Sequence, residues 1–370
     1  MKNTIGSAVS FTLFGESHGP AVGGVLDGLA AGIPIDRQRL DDFMQRRRAK
    51  ADGLTTARVE ADQVEILSGL WNGRTTGTPL AFVIQNRNTR SADYRQGPAR
   101  PGHADWTAHQ KYEGFEDWRG GGHFSGRLTA PIVAAGGICE QILAAKGIQM
   151  GTHIARIADA ADRPFTQRES DLKNELIEIW KTGDLPVLDS RTRENMKTRI
   201  RAAAAEGDSV GGILETAVLG LPGGLGEPFF DSVESTLSHL LFSIPAVKGV
   251  EFGLGFGFAD HTGSEVNDPL AVENGRICTR TNHNGGINGG ITNGMPLLFR
   301  SCVKPTPSIG KAQDTVDLLT GQPAELAVRG RHDPCILPRA AIVQTAVTAL
   351  ALLDLCTQRY GTLWQSHEKE

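Results

Sequence analysis

Apolar residues recur along this chain in two rhythms. Short runs, SFTLF at 10–14, VEILSG at 64–69, PLAFVI at 79–84 and VEFGLGFGF at 250–258, read as strands. A longer period marks helices. Asp36 is placed to cap one over about 37–48, with Leu40, Phe43 and Met44 on one face and Arg46, Arg47 and Arg48 in the last turn, where they suit the negative dipole end. Ser125 caps a second, running to about 146 through GRLTAPIVAAGGICEQILAAK; small and apolar residues nearly all the way round signal a buried helix. A charged helix over about 191–206 and an amphipathic one over about 231–243 follow. The last helix runs from Pro338 to about Arg359 and is again apolar on most sides.

Strands and helices alternate without the regular unit of about thirty residues that a doubly wound or barrel fold needs. The expectation is α+β with antiparallel pairing. No linker rich in Pro, Gly and Ser, no low-complexity tract and no internal repeat divides the chain, so residues 1–370 are expected to form one domain. The stretch from Gln85 to Phe124 is polar, glycine-rich and weakly periodic, and reads as a long functional loop.

Composition sharpens this picture at three points. Glycine supplies 45 of 370 residues, and its clusters at 120–122, 223–224, 285–286 and 289–290 mark tight turns or close approaches of backbone to a ligand. The net charge of -4 gives no global basic field, so neither nucleic acid nor a membrane surface is expected as a partner, and any anion site must be local. The N-terminal residues lack a secretory pattern, and the apolar stretch TAVTALALLDLC is interrupted by Asp354 and reads as too short to span a bilayer. Cys139, Cys278, Cys302, Cys335 and Cys356 show no zinc-ligand spacing, which predicts no metal and reduced thiols in a cytoplasm.

Five stretches could carry chemistry. FGESHG at 14–19 fits a G-x-S-x-G nucleophile elbow with Ser17 as a hydrolase nucleophile, although few residues precede it and glycines, not a helix, follow; the alternative is a glycine turn carrying His18. In RPGHADW, Asp105 and Trp106 could orient and desolvate His103, or the histidine could be a surface residue. RGGGHFSGR brings a chain bare of side chains to a helix start with Ser125 and Arg127, which suits an anion or simply a capped helix. NHNGGINGG and KPTPS pair glycine turns with Lys304, as a phosphate-bearing cofactor would require, without a P-loop or dinucleotide fingerprint. GRHDP sets Arg331, His332 and Asp333 before the last helix, as an acid–base site or a surface turn.

Taken in order, FGESHG, EILSG, TTGTP, RPGHAD, KPTPSI and GRHDP make the whole chain resemble the chorismate synthase family. The resemblance implies long helices sandwiched between two antiparallel four-stranded sheets, and a homotetramer. It implies a carbon–oxygen lyase that converts 5-enolpyruvylshikimate 3-phosphate to chorismate by 1,4-anti elimination of phosphate with reduced FMN. NADPH enters only if the protein reduces its own flavin. His18 would protonate the leaving phosphate, His103 would balance the charge of the reduced ring, and Asp333 would take up the substrate proton, with Ser17 and Ser125 as polar helpers. Arg47, Arg127 and Arg331 would clamp the substrate. Flavin binding would fall on His123, Phe124, Ser125, Ala246, Gly289, Lys304, Pro305, Thr306, Pro307, Ser308 and Arg331.

The chain departs from the family pattern at GGHFSGRLTA, where His123, Phe124 and Leu128 replace an arginine, a serine and a glutamate. Gly53 replaces a phosphate-clamping arginine, for which Lys50 or Arg58 could substitute, and Pro245 and the sequence GGINGG are further changes. A flavin-binding paralogue without lyase activity is therefore a second reading, and a serine hydrolase using Ser17 a third.

Overall fold

The computed structural model describes residues 2–49, 54–55, 60–88, 96–182, 185–273, 275–328 and 333–366. Two antiparallel sheets face each other across a layer of helices. The first orders its strands Thr4–Ile5, Ser10–Gly15, Ala21–Asp27, Leu80–Gln85, Glu65–Ile66; the second, Val247–Phe252, Leu297–Val303, Gly212–Leu219, Gln149–Ile157, Ala160–Ala161. This is the expected α+β sandwich. Each sheet has five strands instead of four: in the first, two-residue pairings at Thr4–Ile5 and Glu65–Ile66 flank three longer strands, and in the second Ala160–Ala161 extends four.

Between the sheets, the helix Thr129–Ala145 packs on the first and Leu337–Tyr360 on the second, and the two cross each other. Gly136 makes that crossing possible: a Cβ there would lie 2.4 Å from Ala346 Cβ and 2.5 Å from Ala346 O. Both helices are buried on almost every side, as their small and apolar composition predicts. By length and composition alone, the first helix taken together with the 3-10 turns before it, Arg119–Ala145, and the second helix could each cross a bilayer, the second because it begins well before the stretch read as too short; both are buried inside the protein. Buried side chains tie the second helix to its sheet: the Thr152 hydroxyl meets those of Thr216 at 2.7 Å and Thr345 at 2.8 Å, and Gln344 Nε2 donates to Thr216 Oγ1 at 2.8 Å. Fully paired polar groups of this kind fix one helix position where apolar packing alone would allow sliding.

The same helix reaches the start of the chain. Asp354 Oδ1 accepts from the backbone N–H of Ala8 at 2.7 Å and of Val9 at 2.8 Å, and its Oδ2 from that of Ser7 at 3.1 Å. The Asp354 that interrupts the apolar sequence is thus a clamp on the N-terminal strands.

Asp36 caps its helix as predicted, accepting from Arg39 N, but the helix stops at Gln45. Arg46, Arg47 and Arg48 therefore lie beyond it, and the turn closed by Arg47 N on Met44 O lets Arg47 point inward. The helices expected near 191–206, 231–243 and 338–359 are observed at Ser190–Ala205, Val233–Leu241 and Leu337–Tyr360. Only the first part of VEFGLGFGF is strand: Gly253 and Gly255 take left-handed φ of 57°, and a 3-10 turn follows. The expected long loop contains a helix, Asp105–Tyr112, whose only buried residue is Ala108, too little periodicity to be read from sequence. Another helix, Glu169–Lys181, was missed in the sequence, although Leu172, Leu176 and Ile179 fall on one face; it covers the outer face of the second sheet.

Under that helix His153 is wholly buried between two carboxylates, 2.8 Å from Glu215 Oε2 and 3.3 Å from Asp162 Oδ2. Burial pushes its pKa down, but the flanking carboxylates outweigh this and hold it above the ordinary value. The proton's contribution to stability is then complete below an unfolded pKa of about 6.5 and is lost as pH rises through the folded value. His153→Ala, which strands two buried carboxylates, is expected to cost about 3–5 kcal/mol in urea unfolding at neutral pH and to flatten that pH dependence.

Candidate active site

The strand Ser10–Gly15 enters a tight turn and returns as Ala21–Asp27. A strand–turn–strand path is not a nucleophile elbow, which needs a helix after the serine. Ser17 is fully buried, with Oγ 3.2 Å from both Arg119 O and Gly120 O and 2.9 Å from His18 Nδ1. A hydroxyl has one proton to give. Donated to those carbonyls, it leaves Ser17 to accept from His18, which assigns the ring proton to Nδ1 and directs proton chemistry to Nε2.

Facing this turn is the glycine run. Gly120, Gly121 and Gly122 have φ of 59°, 83° and 52°, the left-handed region that only glycine enters freely. A Cβ on Gly120 would lie 2.1 Å from His18 Cε1, and one on Gly121 3.0 Å from His103 Cε1. Two imidazoles separated widely in sequence therefore rest on adjacent residues of one bare turn.

His103 Nδ1 is 2.6 Å from Asp105 Oδ1, and Arg100 grips the same carboxylate with Nη2 at 2.7 Å and Nε at 2.8 Å. Burial would raise the Asp105 pKa, but hydrogen bonds from Arg100 and His103 hold it far below the usual carboxylate range. Asp105 orients His103 as expected. Trp106 does not: it is half exposed and stacks on His109 at 6.3 Å, because residues three apart share a helix face.

The RPGHAD loop meets KPTPS. Lys304 Nζ donates to Gly102 O at 2.5 Å, Pro307 lies against Gly102, and Arg100 Nη1 is 3.4 Å from Ser308 Oγ. Thr306 is held through its carbonyl by Ser209, while its own buried hydroxyl has no hydrogen-bond partner among the described residues. Pro305 precedes it, and Ala246, with φ of 74°, accepts from Lys304 N at 2.9 Å. Gly289 stands apart. It occupies a hairpin tip at the N-terminal end of the nine-residue helix Val233–Leu241, whereas Ala246 follows that helix's C-terminal end.

A cavity of about 510 Å³ opens beside the turn, bordered by Arg100, Gly121, Tyr112, Trp118, His123 and Phe124. His123 Nδ1 is anchored at 2.8 Å on Gly15 O, and the Phe124 ring meets Tyr112 edge-on at 6.1 Å.

Ser125 accepts from Arg127 N and caps a 3-10 turn, Gly126–Leu128, that leads into the helix from Thr129. Arg127 and Arg47 are buried, and every guanidinium nitrogen has a partner inside the protein. Arg47 uses Thr129 Oγ1 at 2.8 Å, Asp62 Oδ2 at 2.6 Å and Gly126 O at 2.9 Å. Arg127 uses Asn86 Oδ1 at 2.8 Å, Gln85 O at 3.2 Å and Asp62 Oδ1. Burial lowers the Arg47 pKa to about 10, within the range where it stays charged at neutral pH. Asp333 receives Arg339 Nη1 at 2.8 Å, and Arg339 Nε donates to Arg47 O at 3.0 Å. Asp333 is thus linked, through Arg339, Arg47, Asp62, Arg127 and Asn86, to the backbone carbonyls on either side of Ser17 and His18. Asp62, Asn86, Arg100 and Arg339 escaped the sequence reading, since no local pattern distinguishes an ion-pair partner far along the chain. Arg331, His332, Lys50, Gly53 and Arg58 lie outside the described residues.

Gly120→Ala is expected to lower the unfolding free energy by about 1–3 kcal/mol in denaturant titration and to push the His18 ring off Ser17. Unchanged stability would mean that the turn does not bear on that ring.

The sequence profile described as "Chorismate synthase" matches residues 9–357. The chain is 46% identical over 351 residues to "Chorismate synthase" of Pyrococcus abyssi, covering 94% of this chain and 96% of that one. It is also 46% identical over 369 residues to the protein of the same name from Chitinophaga pinensis, covering 98% and 100%. A solved structure, "Crystal Structure of Chorismate Synthase", superposes with a TM-score of 0.77 at 28% identity, over 96% of this chain and 94% of that one. Sequence and fold agree over nearly the full length, so the lyase reading prevails over the hydrolase one: the chain belongs to the chorismate synthase family.

Proposed function

We propose that the site around His18, His103 and Asp333 carries out the family's reaction, eliminating phosphate from 5-enolpyruvylshikimate 3-phosphate to give chorismate, with reduced FMN bound in the cavity beside the glycine turn. The observation that carries this reading is the placement of both imidazoles on Gly120 and Gly121. The cavity's volume lies in the range of ligand pockets, and its aromatic border suits a planar ring. The unsatisfied Thr306 hydroxyl, with Lys304 and Ser308 beside it, would hold polar groups of the same ligand. When bound, reduced FMN supplies an electron-rich ring to a reaction that changes no overall oxidation state.

In the elimination the C–H electrons flow into the new diene and the C–O electrons leave with phosphate. His18 acts in its doubly protonated form: Nδ1–H is held on Ser17 Oγ, and Nε2–H passes its proton to the departing phosphate. His103, locked by Asp105, sits as a compensating charge. Asp333, aligned by Arg339, takes up the ring proton. Arg47 and Arg127 serve the substrate's anionic groups through their field, two guanidinium ions against the single carboxylate of Asp62, because their hydrogen bonds are already committed.

The reading extends to one domain acting as a cytoplasmic homotetramer. One hydrophobic core draws on residues from Val9 to Cys356, and the five cysteines are free thiols. Exposed Leu270, Val272 and Ile277 on a hairpin, with Phe229, Phe230 and Phe256, offer the apolar area that further copies would cover.

Anaerobic turnover with chemically reduced FMN, followed by chorismate absorbance, tests the reading. His18→Ala and His103→Ala are each expected to lower kcat by about 10²–10⁴-fold. Wild-type turnover in either variant would remove that residue from the proton chemistry.

A further inference from the structure

We infer that Asp62 is a positioning residue for substrate binding, holding Arg47 and Arg127 at a fixed separation and linking the His18 turn to Asp333. The inference rests on the reading that both arginines serve the substrate. Three observations carry it. First, the Asp62 carboxylate is 1% exposed and accepts from both guanidinium groups, one on each oxygen. Like charges this close would otherwise repel in a medium that screens poorly. Second, the remaining nitrogens of each arginine are tied to different elements. Arg47 is bound to the entrance of the helix Thr129–Ala145 and Arg127 to Asn86, whose Nδ2 donates to Glu16 O at 3.0 Å and Gly19 O at 2.9 Å on either side of Ser17 and His18. Arg339 extends the chain from Arg47 O to Asp333. Moving the Asp62 carboxylate therefore moves charges at both ends of the site. Third, Asp62 has φ of 45°, a left-handed conformation for a non-glycine residue that costs of order 1 kcal/mol and persists only where its surroundings enforce it.

Burial favours the neutral acid, but Arg47 and Arg127 hold the Asp62 pKa below its ordinary value. Residue 62 also lies at the wall of a cavity of about 580 Å³, shared with Arg37, Gln85 and Arg87.

Steady-state kinetics of the full chain with reduced FMN and 5-enolpyruvylshikimate 3-phosphate provide the test. D62N is expected to raise KM roughly tenfold or more while kcat stays within about threefold, the signature of lost positioning for binding. In D62A, where truncation opens the space between the arginines, KM is expected to rise likewise, and formate, which can place a carboxylate there, is expected to bring it back toward wild type. A folded D62N with wild-type KM, or a D62A loss that formate leaves unchanged, overturns the inference. Should D62N not fold, D62E keeps the charge but shifts the carboxylate by one methylene; a KM raised about threefold or more supports the inference, and a wild-type KM overturns it. R127K checks the underlying reading separately: an unchanged KM there means that Arg127 does not serve the substrate, and both statements fall.

Discussion

Where Gly136 meets Ala346, two helices touch with no side chain on one side of the contact. That closeness sets the spacing of the whole sandwich, because each helix supports one sheet. It also decides where the site can be. Arg47 bonds to Thr129 at the entrance of one helix and, through its carbonyl, to Arg339 in the first turn of the other. Both helices therefore begin on the same side of the molecule, and their entrances deliver Ser125 and Arg127 from one and Asp333 and Arg339 from the other. A side chain on residue 136 would separate the helix axes and spread those groups apart.

The site combines two kinds of constraint. Around the histidines the constraint is steric: three glycines remove the atoms that would otherwise occupy the space of two imidazoles. Around the arginines it is electrostatic. Burying a guanidinium is costly unless its nitrogens are paired, and here two are paired with each other's neighbours through one carboxylate. An excess of positive charge survives in a poorly solvated place, as a site for a multiply anionic substrate requires.

Much of this was legible in the sequence where it depends on local pattern. The Asp36 cap, the two buried helices and the strand SFTLF follow from periodicity and capping chemistry, whereas Ser125, expected to cap the first buried helix, caps the 3-10 turn before it. The histidines and glycines of the site were visible as motifs, but their adjacency was not, since it is made by long-range folding. The helix Asp105–Tyr112 was hidden because it buries so little, and Trp106 turned to His109 once that helix formed. Arg47 and Arg127 were expected, from the family resemblance, to clamp the substrate, yet their saturation by Asp62, Thr129, Asn86 and backbone carbonyls could not be read from spacing. Gly289 carries the same glycine signal as its neighbours but sits across a helix from Ala246.

The clamp formed by Asp354 has a consequence for how the molecule is made. The carboxylate that satisfies the backbone of Ser7, Ala8 and Val9 is synthesised about 345 residues after its partners. The strands of the first sheet pair with one another within residues 4–85, but the backbone N–H groups of Ser7, Ala8 and Val9 between the first two of them find their acceptor only near the other end of the fold. The clamp closes a loop of about 345 residues, so it forms only once the last helix has docked against the first sheet.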